Sequence, residues 1–360
     1  MVRYSLGIDM SYKIFHVCLS LMQADGNVRV KGTSKFQNDK DGFVLLESWL
    51  QKHLKQKELP VAIVMEATGV YYEKCALHLY QAGYRVSVVL PNIAKKYLQS
   101  LGQKSKNDKI DAKGLSTMGA ERNLTGWEPL NDFFYILRSY TRQHESLQQT
   151  KTIINNQLHA QHNKAHYNEL VEQQLGQLIE VIEGQLKELA TAIADHIKTN
   201  REVSQRVKQI CGVKGIGILT VAVIIAETNG FALFKNIPQL VSYAGYDVVE
   251  DQSGKRAGKT KISKHGNGHI RRAMHMPALH AANWKGSVFQ NLYQRVVERT
   301  SIKMKGYVAV QKKLLVTTYT LWKKNESFNV GNENEKHTKE QKQMLPSLVS
   351  PKADKKVVPA

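Results

Sequence analysis

The sequence predicts three modules in series: a mixed α/β module at residues 1–128, a long helical middle at 129–206, and a mainly helical C-terminal module at 207–325. Three observations predict this. Short β-rich runs punctuated by turn signals fill the first module. One apolar stripe at helical spacing runs from Val171 to Ile197. Beyond residue 207, apolar helical runs alternate with loops rich in glycine and basic residues.

In the first module, Ser5 to Ser11 reads as a strand and Ile14 to Leu21 as a second. The turn Ala24-Asp25-Gly26-Asn27 precedes a third, Val28 to Phe36, which makes an antiparallel meander. A helix pattern follows through Phe43, Leu46 and Leu50 and ends before Pro60. Val61 to Met65 is continuously apolar, as expected of a strand covered on both faces. Another helix carries Cys75, Leu79 and Tyr80, with Gly83 where a C-terminal cap belongs. Val86 to Leu90 reads as a fifth strand stopped by Pro91, and helical sequence then leads to Asp108 and Asp111.

The order β-β-β-α-β-α-β-α, meander first and crossovers after, is that of a ribonuclease H-like fold. Its chemistry needs carboxylates on the first strand, at the end of the fourth and on a late helix. Asp9, Glu66 and the pair Asp108 and Asp111 stand at those stations. Asp108 and Asp111 are three apart, so on a helix they share a face and repel unless a cation lies between them or one is protonated. Four carboxylates balance two Mg²⁺ ions held about 4 Å apart, one for an attacking and one for a leaving oxygen. Taken singly the signals are weaker. Actin-like ATPases also open with a Gly-x-Asp strand, although no second Asp-x-Gly phosphate loop follows here. The aspartate pair alone also fits a preference of acids for helix N-termini, worth about 0.3–1 kcal/mol each.

Charge names the kind of partner. The 360 residues carry 51 Lys+Arg against 31 Asp+Glu, a formal +20, which favours a polyanion and above all nucleic acid. A merely solubilising basic surface is the bland alternative. No apolar run approaches the ~20 residues needed to span a bilayer, and Met1 to Asp9 enters strand-like sequence without a signal-peptide core. Cys18, Cys75 and Cys211 are odd in number and far apart, forming neither a disulfide framework nor a Cys-x-x-Cys zinc knuckle. A cytoplasmic protein with reduced thiols is expected.

The middle stripe, from Val171 through Leu178, Ile182 and Ile193 to Ile197, recurs at a mean spacing of about 3.7 residues. That period belongs to a straight helix with a packing face, for a neighbouring helix or a second subunit. The segment Arg138 to His166 is rich in Gln, Asn, His and Lys and fits either a nucleic-acid lining or a solvated face.

In the C-terminal module, Gly215-Ile216-Gly217 precedes an apolar helix through Ala226. Such a hairpin exposes backbone N–H groups that a helix-hairpin-helix uses on a DNA phosphate, and a plain helix-helix turn fits as well. The densest basic cluster follows, with Lys255, Arg256, Lys259, Lys261, Lys264, Arg271 and Arg272 among glycines that permit close approach to phosphate. Lys104 and Lys106 add a second basic patch beside the aspartate pair. His265 and His269 have i, i+4 spacing, but Gly266 and Gly268 argue against the helix that a zinc site would need. Ser253 is, by its chemistry alone, one serine in a polar turn, a poor nucleophile without activation. From residue 326 onward Asn, Glu, Lys, Gln, Ser and Pro dominate, and a disordered tail at 326–360 is expected.

Leu6-Gly7-Ile8-Asp9, Met65-Glu66-Ala67-Thr68-Gly69 and Lys106-Asn107-Asp108-x-x-Asp111-Ala112 resemble the DEDD motifs of the Piv-related insertion-sequence transposases. The likeness continues in Ala244-Gly245, Ser253-Gly254 and Gly268-His269-Ile270-Arg271-Arg272-Ala273, so it spans roughly residues 5 to 320. An acidic run, Asp247-Val248-Val249-Glu250-Asp251, departs from the family's basic loop just before Ser253. The resemblance implies a RuvC-like first domain, a helical spacer that helps assemble protomers, and Ser253 at the position of the family's nucleophilic serine. It implies a bacterial, nucleoid-associated DNA transposase and site-specific recombinase acting through Mg²⁺ and a covalent phosphoserine. A homo-oligomer (dimer or tetramer) and, as in some members, a guiding bridge RNA are also implied. The alternative expectation is a RuvC-like Holliday-junction endonuclease that uses metal-activated water, with Ser253 incidental. An architectural nucleic-acid-binding protein with structural acids is the non-enzymatic one.

Overall fold

Strand Arg3–Met10 (β1) alternates between two chemistries: Tyr4, Leu6, Ile8 and Met10 are large, whereas Ser5, Gly7 and Asp9 are small or polar. Successive side chains on a strand point to opposite faces, so β1 offers one face to a bulky core and the other to close packing. The computed structural model describes residues 2–102, 107–249, 252–253, 256–257 and 261–328, the four at 252–253 and 256–257 through their backbone alone. The chain divides into two compact units at Pro129/Leu130.

In the first unit β1 is followed by β2 (Ile14–Met22), β3 (Val28–Gln37), α1 (Lys40–His53), β4 (Val61–Glu66), α2 (Glu73–Gln81), β5 (Arg85–Val89), α3 (Pro91–Ser100) and α4 (Asp108–Glu121). The sheet order is β3-β2-β1-β4-β5, antiparallel through the meander and parallel from β1 to β4 to β5. This is the expected ribonuclease H-like topology, and each predicted strand falls within two residues of its observed limits. Gly83 follows α2 with φ +85°, the left-handed conformation that closes a helix and that glycine adopts without strain. Pro91 does more than stop a strand, since it occupies the first turn of α3, where its missing N–H costs nothing.

The two sheet faces are covered differently. Leu6, Ile8, Phe15 and Val17 pack with Phe43 and Leu46 of α1 and with Leu79 of α2. On the other face Val64 and Val89 pack with Tyr97 of α3 and with Leu115 and Met118 of α4.

The second unit is mainly helical. It comprises α5 (Asp132–His162), α6 (Glu169–Lys198), α7 (Arg201–Cys211), α8 (Ile218–Glu227), α9 (Ile237–Tyr243), β6 (Val248–Val249), β7 (Gln252–Ser253), β8 (Arg256–Ala257), β9 (Lys261–Ile262), α10 (Gly268–Ala273), α11 (His275–Ala282), α12 (Val288–Thr300) and α13 (Lys303–Lys324). The strands pair as two short antiparallel ribbons, β6 with β9 and β7 with β8. Helices α5 and α6 run antiparallel, pinned by His162–Glu172 and Lys151–Glu183, each at 2.7 Å, and by His196 to the Phe133 carbonyl at 2.9 Å. The predicted stripe on α6 is only partly used inside the chain: Ile182, Ile193 and Ile197 are buried, whereas Leu178 is 51% exposed. The first half of α5 joins the C-terminal core through the fully buried Leu137. No helix among the described residues is long and apolar enough to cross a membrane. The expected disordered tail lies outside the described residues from 329 on.

Candidate active site

Helix α4 lies antiparallel along the small-residue face of β1, and three contacts fix its register. Arg3 donates to the carbonyls of Ala120 (2.7 Å) and Arg122 (2.7 Å) at one end. Midway, the Ser116 hydroxyl donates to the Ser5 carbonyl at 2.8 Å. Further along, Gly7 faces α4 so closely that a Cβ there would lie 2.1 Å from the Ala112 carbonyl oxygen. Continuing the same register one step sets Asp9 level with the first turn of α4, which carries Asp108 and Asp111.

The sheet delivers the fourth carboxylate. Ile8 pairs with Met65 in the parallel ladder, so Asp9 and Glu66 follow side by side at the ends of β1 and β4. Glu66 has the parity of Val64, which faces α4. Asn107 caps α4, its side chain accepting from the Ile110 N–H at 2.9 Å. Both aspartates therefore sit at the positive end of a helix dipole, which offsets part of their mutual repulsion. The structure thus brings the stations of Asp9, Glu66, Asp108 and Asp111 to one end of the β1–β4–α4 layer.

Among the described residues, no cluster of three or more His, Cys, Asp or Glu side chains forms a ready-made metal cage. The donor set is nonetheless all carboxylate oxygen, which suits a hard cation such as Mg²⁺ rather than a thiolate- or imidazole-seeking metal. Three further residues border this end. His16 pairs with Asp9 across β1–β2 and places its Nδ1 3.4 Å from an Asp108 carboxylate oxygen. Tyr12 and Tyr71 form an edge-on pair with centroids 5.7 Å apart, and both are exposed. Asn38 ties their loops together by donating to the Ser11 and Tyr71 carbonyls at 2.9 and 3.1 Å. His16 was legible only through the antiparallel register, and Tyr12 through its place three residues after Asp9.

In the second unit, Ser253 lies on β7 and its backbone pairs with Arg256. Lys255 and Lys259, like Lys104 and Lys106, lie outside the described residues. Gly215 has φ +95°, and a Cβ there would meet His280 at 3.1 Å, so this glycine is set against α11. Gly217 is open and begins α8 with no side-chain cap. Lys261 and Lys264 are exposed.

Two of the three arginines of the basic cluster, Arg271 and Arg272, carry structural contacts. Arg271 donates to the Ala244 carbonyl at 2.7 Å and braces the turn at Gly245, whose φ is +73°. Arg272 is paired with Glu145 of α5, and His269 Nδ1 lies 2.5 Å from the same carboxylate. Beside them Glu227, 1% exposed, receives Arg142 at 2.7 and 3.0 Å and Asn267 at 2.7 Å. Burial opposes the charge on Glu227, but Arg142 and Asn267 more than offset it and hold the carboxyl below the usual range. For Glu145 partial burial likewise acts upward, and His269 and Arg272 outweigh it. This acid-base network, which sequence reasoning missed, fastens α5 to α8 and α10.

A strand and helix order of the ribonuclease H type with acids at these stations fits an enzyme that cuts DNA, and the family matches define its class as a DNA transposase, which cleaves and rejoins DNA. Two family profiles match, "Transposase" of the DEDD IS110 group over residues 6–166 and "Transposase IS116/IS110/IS902 family" over residues 207–294. The chain belongs to this IS110-related transposase family. It is 26% identical over 339 residues to the pilin gene-inverting proteins of Moraxella lacunata and Moraxella bovis, covering 91% of this chain and 98% of each relative. Among solved structures it is similar to Thermus thermophilus RuvC, at 14% identity and a TM-score of 0.27, over 33% of this chain and 93% of that one.

Proposed function

We propose that the chain is a site-specific DNA transposase and recombinase of a mobile insertion sequence, in which four carboxylates and one serine act on the same phosphodiester. The observation that carries this reading is the registered packing of α4 on β1, which brings Asp108 and Asp111 to the strand ends bearing Asp9 and Glu66. These four would hold Mg²⁺, two ions in the full site, and the metal would supply charge stabilisation for the transferred phosphoryl group.

The Ser253 hydroxyl attacks the phosphorus, its proton passing to a neighbouring base or to solvent. The Ser253 Oγ–P bond forms as the bond to the 3′ oxygen breaks, leaving a 3′-hydroxyl and a 5′-phosphoserine. A 3′-hydroxyl from a second strand then attacks the same phosphorus and releases the serine. The covalent link keeps the energy of the broken phosphodiester, so rejoining needs no nucleotide cofactor. Exposed Lys261 and Lys264, with Lys104, Lys106, Lys255, Arg256 and Lys259, would contact nucleic-acid backbone, as would the open amides at Gly217. Arg271 and Arg272 would act there indirectly, by holding the loop.

A bridge RNA encoded by the element would select the sequence by base pairing while the protein reads backbone and shape, consistent with the formal +20. The half-exposed stripe on α6 would pack against a second copy in a homo-oligomer.

The test is a covalent trap. Element-end DNA incubated with the full-length protein, its co-purifying RNA and Mg²⁺ should yield a DNA–protein adduct that Ser253→Ala abolishes. Free cleaved ends together with an active Ser253→Ala variant would refute the serine mechanism and favour hydrolysis by activated water.

A further inference from the structure

A cavity of about 650 Å³ opens in the second unit between the β6–β9 ribbon and the α12–α13 corner. Its size lies within the roughly 300–1,000 Å³ typical of ligand sites. The floor is apolar, formed by Tyr246, Val248, Ile262, Val296, Met304 and Val308. The rim is cationic, with Lys261, Lys264, Arg299, Lys305 and Lys312, and among the described residues no acid lines the cavity. Val248 is 58% and Met304 54% exposed, so the described residues leave this apolar surface uncovered. The corner is closely packed: Ser301 closes α12 in the left-handed conformation, and the tilted rings of Tyr293 and Tyr307 meet with centroids 4.7 Å apart where Gly306 lets the helices touch.

An apolar floor inside a ring of cations matches a ligand with an apolar face and an anionic backbone. Duplex DNA would satisfy the rim alone, because its bases are stacked inside. An unpaired nucleotide satisfies both, its base entering the cavity and its phosphates lying on the lysines and arginine. Chain length says which nucleic acid. Three residues separate Val249 from Ser253, so the two Cα atoms lie within ~14 Å of each other. The ribbon walling the cavity is therefore tethered to the serine that attacks DNA in the reading above.

We propose that this cavity receives one unpaired base of the DNA strand near the phosphodiester that Ser253 attacks. The proposal rests on that reading of the second unit as DNA-handling. The uncharged polar groups of the described lining, Tyr246 and Thr300, donate their hydroxyls to Gln311 and to the Val296 carbonyl, so the pocket is tolerant of base identity.

The test measures binding of fluorescein-labelled oligothymidylate and of a blunt duplex of equal length to the full-length protein without Mg²⁺, at fixed salt. The variant is Val248→Asn with Met304→Asn, which leaves the charge unchanged and alters two exposed positions. Expected is a loss of about tenfold for the single strand and less than about twofold for the duplex. An abasic oligomer should bind the wild-type protein as weakly as oligothymidylate binds the variant. Unchanged single-strand affinity, or equal losses for both DNAs, would overturn the pocket. A larger loss for oligouridylate than for oligothymidylate would overturn its assignment to DNA, and displacement of oligothymidylate by phosphatidylglycerol vesicles would make it a lipid site. Failure of the wild-type protein to bind any of the oligonucleotides would instead overturn the DNA-handling reading itself.

Discussion

Gly7→Ala should separate α4 from β1. The added Cβ would lie 2.1 Å from the Ala112 carbonyl oxygen and 2.2 Å from the Ser116 amide nitrogen. Both are main-chain atoms, so no side chain can turn aside and α4 must retreat as a body by about 1 Å. A gap of about 0.5–1 Å forfeits a quarter to a half of the dispersion contact. Leu115 and Met118, each 1% exposed, are the large side chains at stake, each worth about 1.5–3 kcal/mol when buried. The expected loss is about 1–3 kcal/mol, also the range for an overpacked core. Hydrogen exchange read by mass spectrometry on the full-length protein should show protection of β1 and α4 falling about 5- to 150-fold, with the second unit unchanged. Because Asp108 and Asp111 ride on α4, the same retreat should lower adduct formation about a hundredfold. Wild-type protection in both elements would refute the close-packing account, and wild-type adduct yield would show that α4 does not position the aspartates.

Arg142→Met should destabilise the second unit by about 3 kcal/mol, because it leaves the buried Glu227 uncompensated. Adding Glu227→Gln should recover much of that loss in a urea titration, and no recovery would show that the pair is not the cause. Glu227 and Glu145 are held below the ordinary glutamate value of 4.5, so their contribution is complete above that value. It should be lost as pH falls through their folded-state values; unfolding midpoints that are flat from pH 6 to pH 3 would contradict this. Gly245→Ala should weaken the turn before the basic segment, since φ +73° disfavours alanine and its Cβ would lie 2.6 Å from the Arg271 guanidinium. Protease nicking near Lys264 should rise in that variant, and an unchanged digestion pattern would count against the brace. Burial pushes the Cys75 thiol up to about 12, whereas Cys211 is only partly buried. Iodoacetamide should therefore label Cys211 first in the native protein, and rapid labelling of Cys75 would contradict its burial.

The first unit was legible because its signals are local. Alternation along β1, the continuous run of β4 and the turn at Asp25-Gly26 each specify an element without reference to distant residues. The same parity carries Ser5, Gly7 and Asp9 to one face, so the stations of Asp9 and Glu66 followed from counting. The second unit was legible in its helices but not in its polar contacts. Arg271 and Arg272 belong by composition to a basic patch, yet their partners are the Ala244 carbonyl and Glu145, the latter 127 residues away. Glu227 reads as the polar end of an apolar helix, and only the crossing of α5 by α8 reveals it as a buried acid held by Arg142. Pairings of that span depend on how helices cross, which no local pattern encodes.

Placing two acids in the first turn of α4 also bears on how Asp108 and Asp111 can stand three residues apart near the strand ends of Asp9 and Glu66. Like charges at adjoining strand and helix ends repel, and the lost stability must be met locally or the elements drift apart. Here the Asn107 cap and the helix dipole favour negative charge at Asp108 and Asp111, while His16 from β2 stands beside Asp108. The clamp that holds the acids together lies elsewhere, in Arg3, Ser116 and the bare Cα of Gly7. Charge relief and mechanical registration are therefore carried by different residues. Asp108→Asn should then leave the hydrogen exchange of β1 and α4 near wild type while abolishing the adduct, whereas Gly7→Ala should disturb both. If Asp108→Asn also loosened α4, the acids would be part of the structural clamp, and the division between holding and reacting groups would fail.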